Sequence, residues 1–398
     1  MISNYFSIII TVFALTGFFS APAVALEWSI KDLGNLGGDD QYAANVEHLA
    51  LGINNQGQVV GRSITPMQIF RGEPYSFLQA FVSAANGGSL TNIHEVTAFF
   101  NNKPERSIET TSWATAINDA GIVVFQADRF HALPAALYSP PPYIYGYPVG
   151  PYNGGFLRAT GINNHGQIVG EQQYSPVAFV SSMDGSYYEF RDSEGSPLAS
   201  VATGINDTGQ ILLNGGIYGN QPHIWSENEG ARAIATRPDL YVITVGITNA
   251  GQVLGNEYQP NGQSVAFLTG PNGGDLMYLD TLGGSFNEAR GLNELGQVVG
   301  HSMTEDGLFH AFFTGPNGQG LTNLEIETDI MDAGWSNIRV AAINDLGQIA
   351  GTGNHNGIRR PFLLSPVPEP ETYAMMLTGL CVLGFIHRRR LINTLSNT

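Results

Sequence analysis

Gly52-Ile53-Asn54-Asn55-Gln56-Gly57-Gln58-Val59-Val60-Gly61 is the first of seven related phrases along this 398-residue chain. The other copies start at Ala116, Gly161, Gly204, Gly246, Gly291 and Ala342. Measured at the Ile/Leu position, the steps between copies are 64, 45, 43, 42, 45 and 51 residues. Self-similarity at such a period marks a repeat architecture. Within each copy, apolar runs flank Asn-x-x-Gly, and Asn and Gly tolerate positive φ, so the phrase reads as a β-hairpin. About 20 residues on comes a short apolar run with Ala-Phe at its centre, as in Gln79-Ala80-Phe81-Val82 and Val265-Ala266-Phe267-Leu268. A Gly-rich turn such as Pro271-Asn272-Gly273-Gly274 and a further strand such as Leu276-Met277-Tyr278-Leu279 complete the unit.

Four antiparallel strands per repeat of this length describe a propeller blade. The ends of the chain say how the ring closes. The seventh repeat supplies only three strands, ending near Leu364, while Trp28–Gly38 is an orphan segment matching Leu279-Asp280-Thr281-Leu282-Gly283-Gly284. The expectation is therefore an all-β, seven-bladed propeller of four-stranded blades, closed by the N-terminal strand. Closure removes the exposed sheet edges of an open array.

Residues 1–25 are uncharged, mostly apolar and end in Ala23-Val24-Ala25. This reads as a secretory signal peptide cleaved by signal peptidase at Ala23 and Ala25, although no Lys or Arg precedes the apolar stretch. Residues 26–366 form the repeat domain. The whole chain holds 17 basic and 34 acidic residues, and the repeat domain carries a net charge of −18. Such a balance argues against nucleic-acid partners and anionic membrane surfaces. Only 13% of residues are charged, so Gly, Asn, Ser, Gln and Tyr must cover much of the surface. The single cysteine, Cys381, lies beyond the domain, which excludes disulfides and cysteine metal sites within it.

The tail reads Val367-Pro368-Glu369-Pro370, then an apolar run Ala374–Ile386, then Arg388-Arg389-Arg390. Thirteen apolar residues are short for a stable span of roughly 20, and the arginines favour the cytoplasmic side. The expected reading is a short hydrophobic helix and a transient inner-membrane anchor, with 391–398 as a cytoplasmic tail. This segment, 367–390, resembles the PEP-CTERM sorting signal of Gram-negative bacteria. The resemblance implies recognition by an exosortase through Pro368-Glu369-Pro370. It also implies a secreted or cell-surface destination, typically in organisms that make exopolysaccharide.

The repeats in turn resemble the HAF family of extracellular repeats. The resemblance is carried by the Gly-Ile-Asn-x-x-Gly-Gln-Val-Val-Gly phrase, His310-Ala311-Phe312 and Leu282-Gly283-Gly284-Ser285-Phe286. It implies an extracellular location and brings no established activity. The second copy departs most, with Ile122 for Gln and Phe125 for the closing Gly.

No Gly-x-Ser-x-Gly elbow, His-Glu-x-x-His pair or calcium loop occurs. The eight histidines of the domain show no ligand spacing, so neither metal nor cofactor is expected. Asp119, Asp207 and Asp345 take equivalent places in Asn-Asp-x-Gly, and turn chemistry accounts for them.

The spacing singles out one sector. From the Ile/Leu of the hairpin to the Phe of the third strand, the first copy needs 28 residues and the others 17 to 20. Further excess lies between copies one and two and between six and seven. In a four-stranded meander all three insertions emerge on one face. Long loops on a rigid scaffold are where binding residues concentrate. The candidate ligand-binding residues are Phe70, Arg71, Tyr75, Phe99, Phe100, Arg106, Trp113 and Trp335, since exposed aromatics among polar groups suit sugar rings or protein partners. Pro140–Tyr147, with three consecutive prolines, reads as an edge strand in the second repeat. The functional expectation is a non-enzymatic binding or structural module of an exopolysaccharide matrix. The alternative is an extracellular polysaccharide hydrolase or lyase using the same face.

Overall fold

The computed structural model describes residues 27–38, 48–70, 73–93, 111–128, 136–138, 157–172, 177–183, 186–191, 194–199, 201–215, 221–328 and 330–367. They form an all-β propeller. Each copy of the phrase builds the first two strands of a sheet. The first sheet, for example, runs Leu49–Ile53, Val59–Ile64, Leu78–Ser83 and Leu90–Asn92 in spatial order. Six sheets are four-stranded. The expectation of seven four-stranded blades is corrected in the second sheet. There the strands Thr111–Ile117, Val123–Asp128 and Ala136–Tyr138 make a sheet of three. The proposed edge strand at 140–147 lies outside the described residues.

Closure is achieved as the orphan segment implied. Glu27–Asp32 pairs antiparallel with the last strand, Ile358–Val367, from Glu27 opposite Val367 to Asp32 opposite Phe362. The orphan resemblance extends to individual bonds. Leu36 N–H donates to Ser63 Oγ at 3.2 Å, and Leu282 N–H donates to Ser302 Oγ at 3.0 Å. In each Leu-Gly-Gly turn the preceding side chain, Asn35 or Thr281, donates to the carbonyl of the second glycine.

The core is divided into slabs between neighbouring sheets. Leu33, Ala50, Val59, Phe81, Ala350 and Leu363 fill the junction of the seventh and first sheets. Val60, Ala80, Val82, Ala114, Val123 and Phe125 fill the next. Adjacent Val59 and Val60 thus point into opposite slabs, both fully buried. A strand covered on both faces must be apolar at consecutive positions, which explains Val-Val where alternation would serve a one-sided sheet.

The closing Gly and the Ala-Phe signal are two halves of one packing arrangement. Gly61, Gly170, Gly255, Gly300 and Gly351 sit in register opposite Phe81, Phe179, Phe267, Phe312 and Phe362. A Cβ on Gly300 would meet the Glu288 carbonyl inside van der Waals contact and the Phe312 ring at 2.7 Å. In the second sheet the aromatic has changed strand: Phe125 holds the Gly position and faces Ala136 in register. The fourth sheet pairs Leu213 with His223. A β-bulge interrupts the innermost strand of all seven sheets just before the Ile/Leu, as between Ala50 and Gly52. Bulges bend a strand and sharpen its twist, here at the point nearest the axis.

Candidate functional site

The innermost strands bring all seven hairpin turns, six Asn-x-x-Gly and one Thr248-x-x-Gly, around one mouth on the axis. It encloses about 260 Å³. Two concentric layers of hydrogen bonds hold it. In the inner layer, the side-chain amide of the first Asn donates to the backbone carbonyl of its counterpart in the next sheet. Asn54 reaches Asn118 (2.9 Å), Asn118 reaches Asn163 (3.1 Å), Asn163 reaches Asn206 (3.0 Å) and Asn206 reaches Thr248 (2.8 Å). Asn293 reaches Asn344 (3.0 Å), and Asn344 returns to Asn54 (2.9 Å). Thr248 has no amide, and the series is broken there. The same Asn holds its own turn: Asn54 Oδ1 accepts from the N–H of Gln56 and Gln58, and its Nδ2 also donates to Gln58 Oε1. One buried amide thus uses all four of its hydrogen-bonding sites, which explains why Asn and Gln occur together in five of the seven copies.

The outer layer lies one residue on, at Asn55, Asp119, Asn164, Asp207, Asn249, Glu294 and Asp345. Each backbone N–H donates to the side-chain oxygen of the next member, at 2.8–3.1 Å, and Asp345 closes onto Asn55 at 2.9 Å. The amides also bridge the acids, Asn55 Nδ2 touching Asp119 at 3.1 Å and Asp345 at 2.7 Å. The turn explanation of Asp119, Asp207 and Asp345 is therefore corrected: each carboxylate serves the neighbouring sheet. The signal lay in the sequence as an alternation of amide and acid down the seven copies. Seven is odd, so the alternation fails once, and Glu294 follows directly before Asp345. Burial raises the Glu294 pKa, the Asn249 N–H opposes the shift, and Asp345 and Asp207 add to it.

Of the residues singled out for ligand binding, Trp335 is corrected. It is 3% exposed, stacks on His355 at 4.6 Å and meets Phe362 edge-on at 5.4 Å. His355 in turn pairs with Asp32 at 2.7 Å, so this tryptophan ties the closing strand to its sheet from inside. It begins an innermost strand, and the extra residues before it do not draw it out to solvent. Trp113 is half-buried on the innermost strand of the second sheet. The insertion in the first copy forms a small hairpin, Gln68–Phe70 with Glu73–Tyr75, in which Phe70 faces Glu73 and Tyr75 faces Gln68 in register, so the two candidates stand at opposite ends of it. Arg71, Phe99, Phe100 and Arg106 lie outside the described residues, as do Ala23, Ala25, Pro368, Glu369, Pro370 and Arg388–Arg390. Among the described residues no cluster of His, Cys, Asp and Glu is arranged to hold a metal ion, and no helix is long and apolar enough to cross a membrane. The segment 374–386 was not among those residues.

Comparison with known proteins bears on two levels. Residues 366–390 match the model of the PEP-CTERM protein-sorting motif. That match identifies an exosortase-sorted chain with an extracellular or cell-surface destination. No curated protein matches the chain. Among solved structures, the fold is similar to YCF48 bound to D1 peptide, with 10% identity, 86% of this chain and 97% of that chain covered, and a TM-score of 0.51. It is also similar to a catalytically inactive virginiamycin B lyase from Staphylococcus aureus with quinupristin, with 11% identity, 86% and 100% coverage and a TM-score of 0.50. A puromycin hydrolase mutant complexed with PGG shares 12% identity over 81% of this chain and 54% of that one, with a TM-score of 0.50. At such identities the likeness is one of propeller fold alone, and it spans binding proteins and enzymes.

Proposed function

We propose that this chain is an exported propeller that acts at the cell surface or in the exopolysaccharide matrix as a non-enzymatic binding and structural module. The carrying observation is where the sorting motif begins. Val367, the last residue of the last strand, pairs with Glu27, the first residue of the closing strand. Signal-peptidase cleavage after Ala25 and exosortase processing beyond Val367 would both cut just outside that one register pair. The ring keeps every described strand after both events. On this reading residues 374–386 hold the chain in the inner membrane only until processing, and the three-stranded second sheet is the seventh blade.

The non-enzymatic part is supported by the mouth. Asp119, Asp207, Glu294 and Asp345 are engaged in joining sheets, so they are not held ready as acid and base. The proposal is tested by expressing the chain with its exosortase, beside a variant with Arg388–Arg390 replaced by Ser and a variant with Pro368→Ala. The parent should be shortened at its C-terminus and recovered from the surface or medium, while the variants stay long or remain cell-bound. The released protein should retain glycan without shortening it. Liberation of reducing ends from a polysaccharide would overturn the non-enzymatic reading in favour of a hydrolase or lyase.

A further inference from the structure

The junctions between sheets are sealed unequally. In the first, fifth and sixth sheets the turn between the third and outer strands carries Asn-Gly, with both residues at positive φ. That turn docks on the hairpin of its own sheet through paired backbone bonds. Asn272 N–H donates to Ala250 O at 3.0 Å and Gly273 N–H to Gly251 O at 2.8 Å, and the same two bonds recur at Asn86-Gly87 and Asn317-Gly318. The glycine then lies against the preceding sheet. A Cβ on Gly273 would meet Ile224 at 2.8 Å, one on Gly318 would meet Leu279 at 2.7 Å, and one on Gly87 would meet Leu33 at 2.7 Å. The turn is thus a plug for the gap between its sheet and the one before.

The fourth sheet has no such plug. Its outer hairpin is the tight Ser226–Gly230 turn, with Ser226 opposite Gly230 in register. A groove of about 850 Å³ opens between the third and fourth sheets as a result. Its floor is aromatic. Tyr188, from the outer strand Tyr187–Glu189, is 50% exposed and lies nearly parallel to Trp225, with ring centres 6.3 Å apart and planes at 26°. Phe190, fully buried, meets both edge-on at 5.2 and 5.1 Å, so neither ring can turn freely. Around this floor stand His165, Glu227 and Asn228, and among the described residues the groove lining includes Asp207 but no Lys or Arg.

We infer that this groove binds a neutral hexose oligosaccharide, with Tyr188 and Trp225 as the stacking face and His165, Glu227 and Asn228 as hydroxyl partners. A pyranose presents an apolar C–H face and a rim of hydroxyls, and a fixed aromatic face ringed by polar side chains is its complement. The volume falls in the range of small-ligand sites. The charge chooses among sugars: a lining with carboxylates and without cations repels uronates and sulfated glycans. This inference rests on the binding-module reading but places the site on the opposite face from the loop insertions, at a position set by the missing Asn-Gly turn.

The test is calorimetric titration of the full chain, held in mild detergent, with tetrasaccharides of glucose, mannose, galactose and galacturonate. At least one neutral tetrasaccharide should bind saturably, and the galacturonate should not. Tyr188→Ala should weaken binding about tenfold, the scale of one lost aromatic contact, with a melting temperature lowered by no more than about 3 °C because the ring is half exposed. Trp225→Phe, which keeps the packing against Phe190, should weaken it less. Failure of every neutral sugar to bind, tighter binding of galacturonate, or full affinity in Tyr188→Ala would each overturn the inference. Full affinity in Tyr188→Ala with loss in Trp113→Ala would remove the groove while leaving the binding-module reading in place. Cleavage of the sugar during titration would instead remove that reading.

Discussion

Thr248 interrupts the inner hydrogen-bond layer, and replacing it with Asn should complete the layer. In the six other sheets the residue here is a buried Asn, 3–4% exposed, whose amide reaches the next sheet's carbonyl. Thr248 is 2% exposed, and its hydroxyl accepts from the Gln252 N–H at 3.1 Å. Thr248→Asn adds one bond to Asn293 O across the junction of the fifth and sixth sheets. It also adds two within its own turn, to the Ala250 N–H and to Gln252 Oε1, as Asn54 shows for the first sheet. Net contributions of about 0.5–1.5 kcal/mol per bond, less the ordering of a longer side chain, give a gain of about 1–2 kcal/mol. For a domain of this size that is a rise of roughly 1–3 °C in Tm. The reciprocal variant, Asn206→Thr, removes the amide that reaches Thr248 O and should lower stability by about 1–3 kcal/mol. Urea unfolding followed by circular dichroism reads both, since a shift in midpoint at constant slope reports stability alone. An unchanged or lower midpoint for Thr248→Asn, together with an Asn206→Thr loss under about 0.5 kcal/mol, would refute the claim that these amides join the sheets.

Three further outcomes follow from the same geometry. His301 accepts the Val340 N–H at Nε2 across the sixth–seventh junction, and burial, with Arg290 and Arg339 adding to it, pushes its pKa down to about 4. Its contribution is therefore complete above the unfolded value of about 6.5 and is lost as pH falls towards 4, by at most about 3 kcal/mol; in a pH series of melting temperatures, His301→Gln should converge on the parent over that window. Glu294 has a raised pKa, so its ionisation opposes folding as pH rises through the folded value; Glu294→Gln should raise Tm at neutral pH and lose that advantage below about pH 4. Gly300→Ala places a methyl group between the Glu288 carbonyl and the Phe312 ring, and should cost about 3 kcal/mol or more in a urea titration, with the nearby Gly307, which has nothing within 4 Å, as the position where steric crowding is absent.

The period of the phrase made the blade legible, because each copy supplies a hairpin whose turn chemistry is local. The orphan strand made closure legible, because a repeat lacking its last strand and a segment matching that strand have one economical arrangement. What the sequence showed less readily were contacts between copies. Asp119 in Asn-Asp-x-Gly looks the same whether it caps its own turn or accepts from Asn55 64 residues earlier. Loop length placed an insertion correctly at Gln68–Tyr75, since a hairpin can form there without disturbing the sheet. Length could not place Trp335, because its burial depends on His355 and Phe362 from the same sheet and on the sixth sheet beside it. The groove at Tyr188 was hidden for the opposite reason: it arises from a turn that lacks the Asn-Gly pair present in the first, fifth and sixth sheets.

That last point bears on how a repeat protein divides its residues between holding together and recognising. Constant positions in this chain point to a neighbour or to the axis: Asn54 and its counterparts to the next sheet, Val59 and Val60 to the two slabs, Gly61 to Phe81. None of them is exposed for a partner. On the binding-module reading proposed above, partners would be met where the pattern lapses. One lapse, Thr248, costs a bond and exposes nothing, since it stays 2% exposed. Another, Phe125 opposite Ala136, exchanges strands and leaves Phe125 buried at 2%. The loss of the Asn-Gly plug at Ser226–Gly230 is different in kind, because it opens a cavity and leaves an aromatic ring half in water on a rigid support. Compensated lapses keep the fold, and an uncompensated one on the surface is where binding free energy is available.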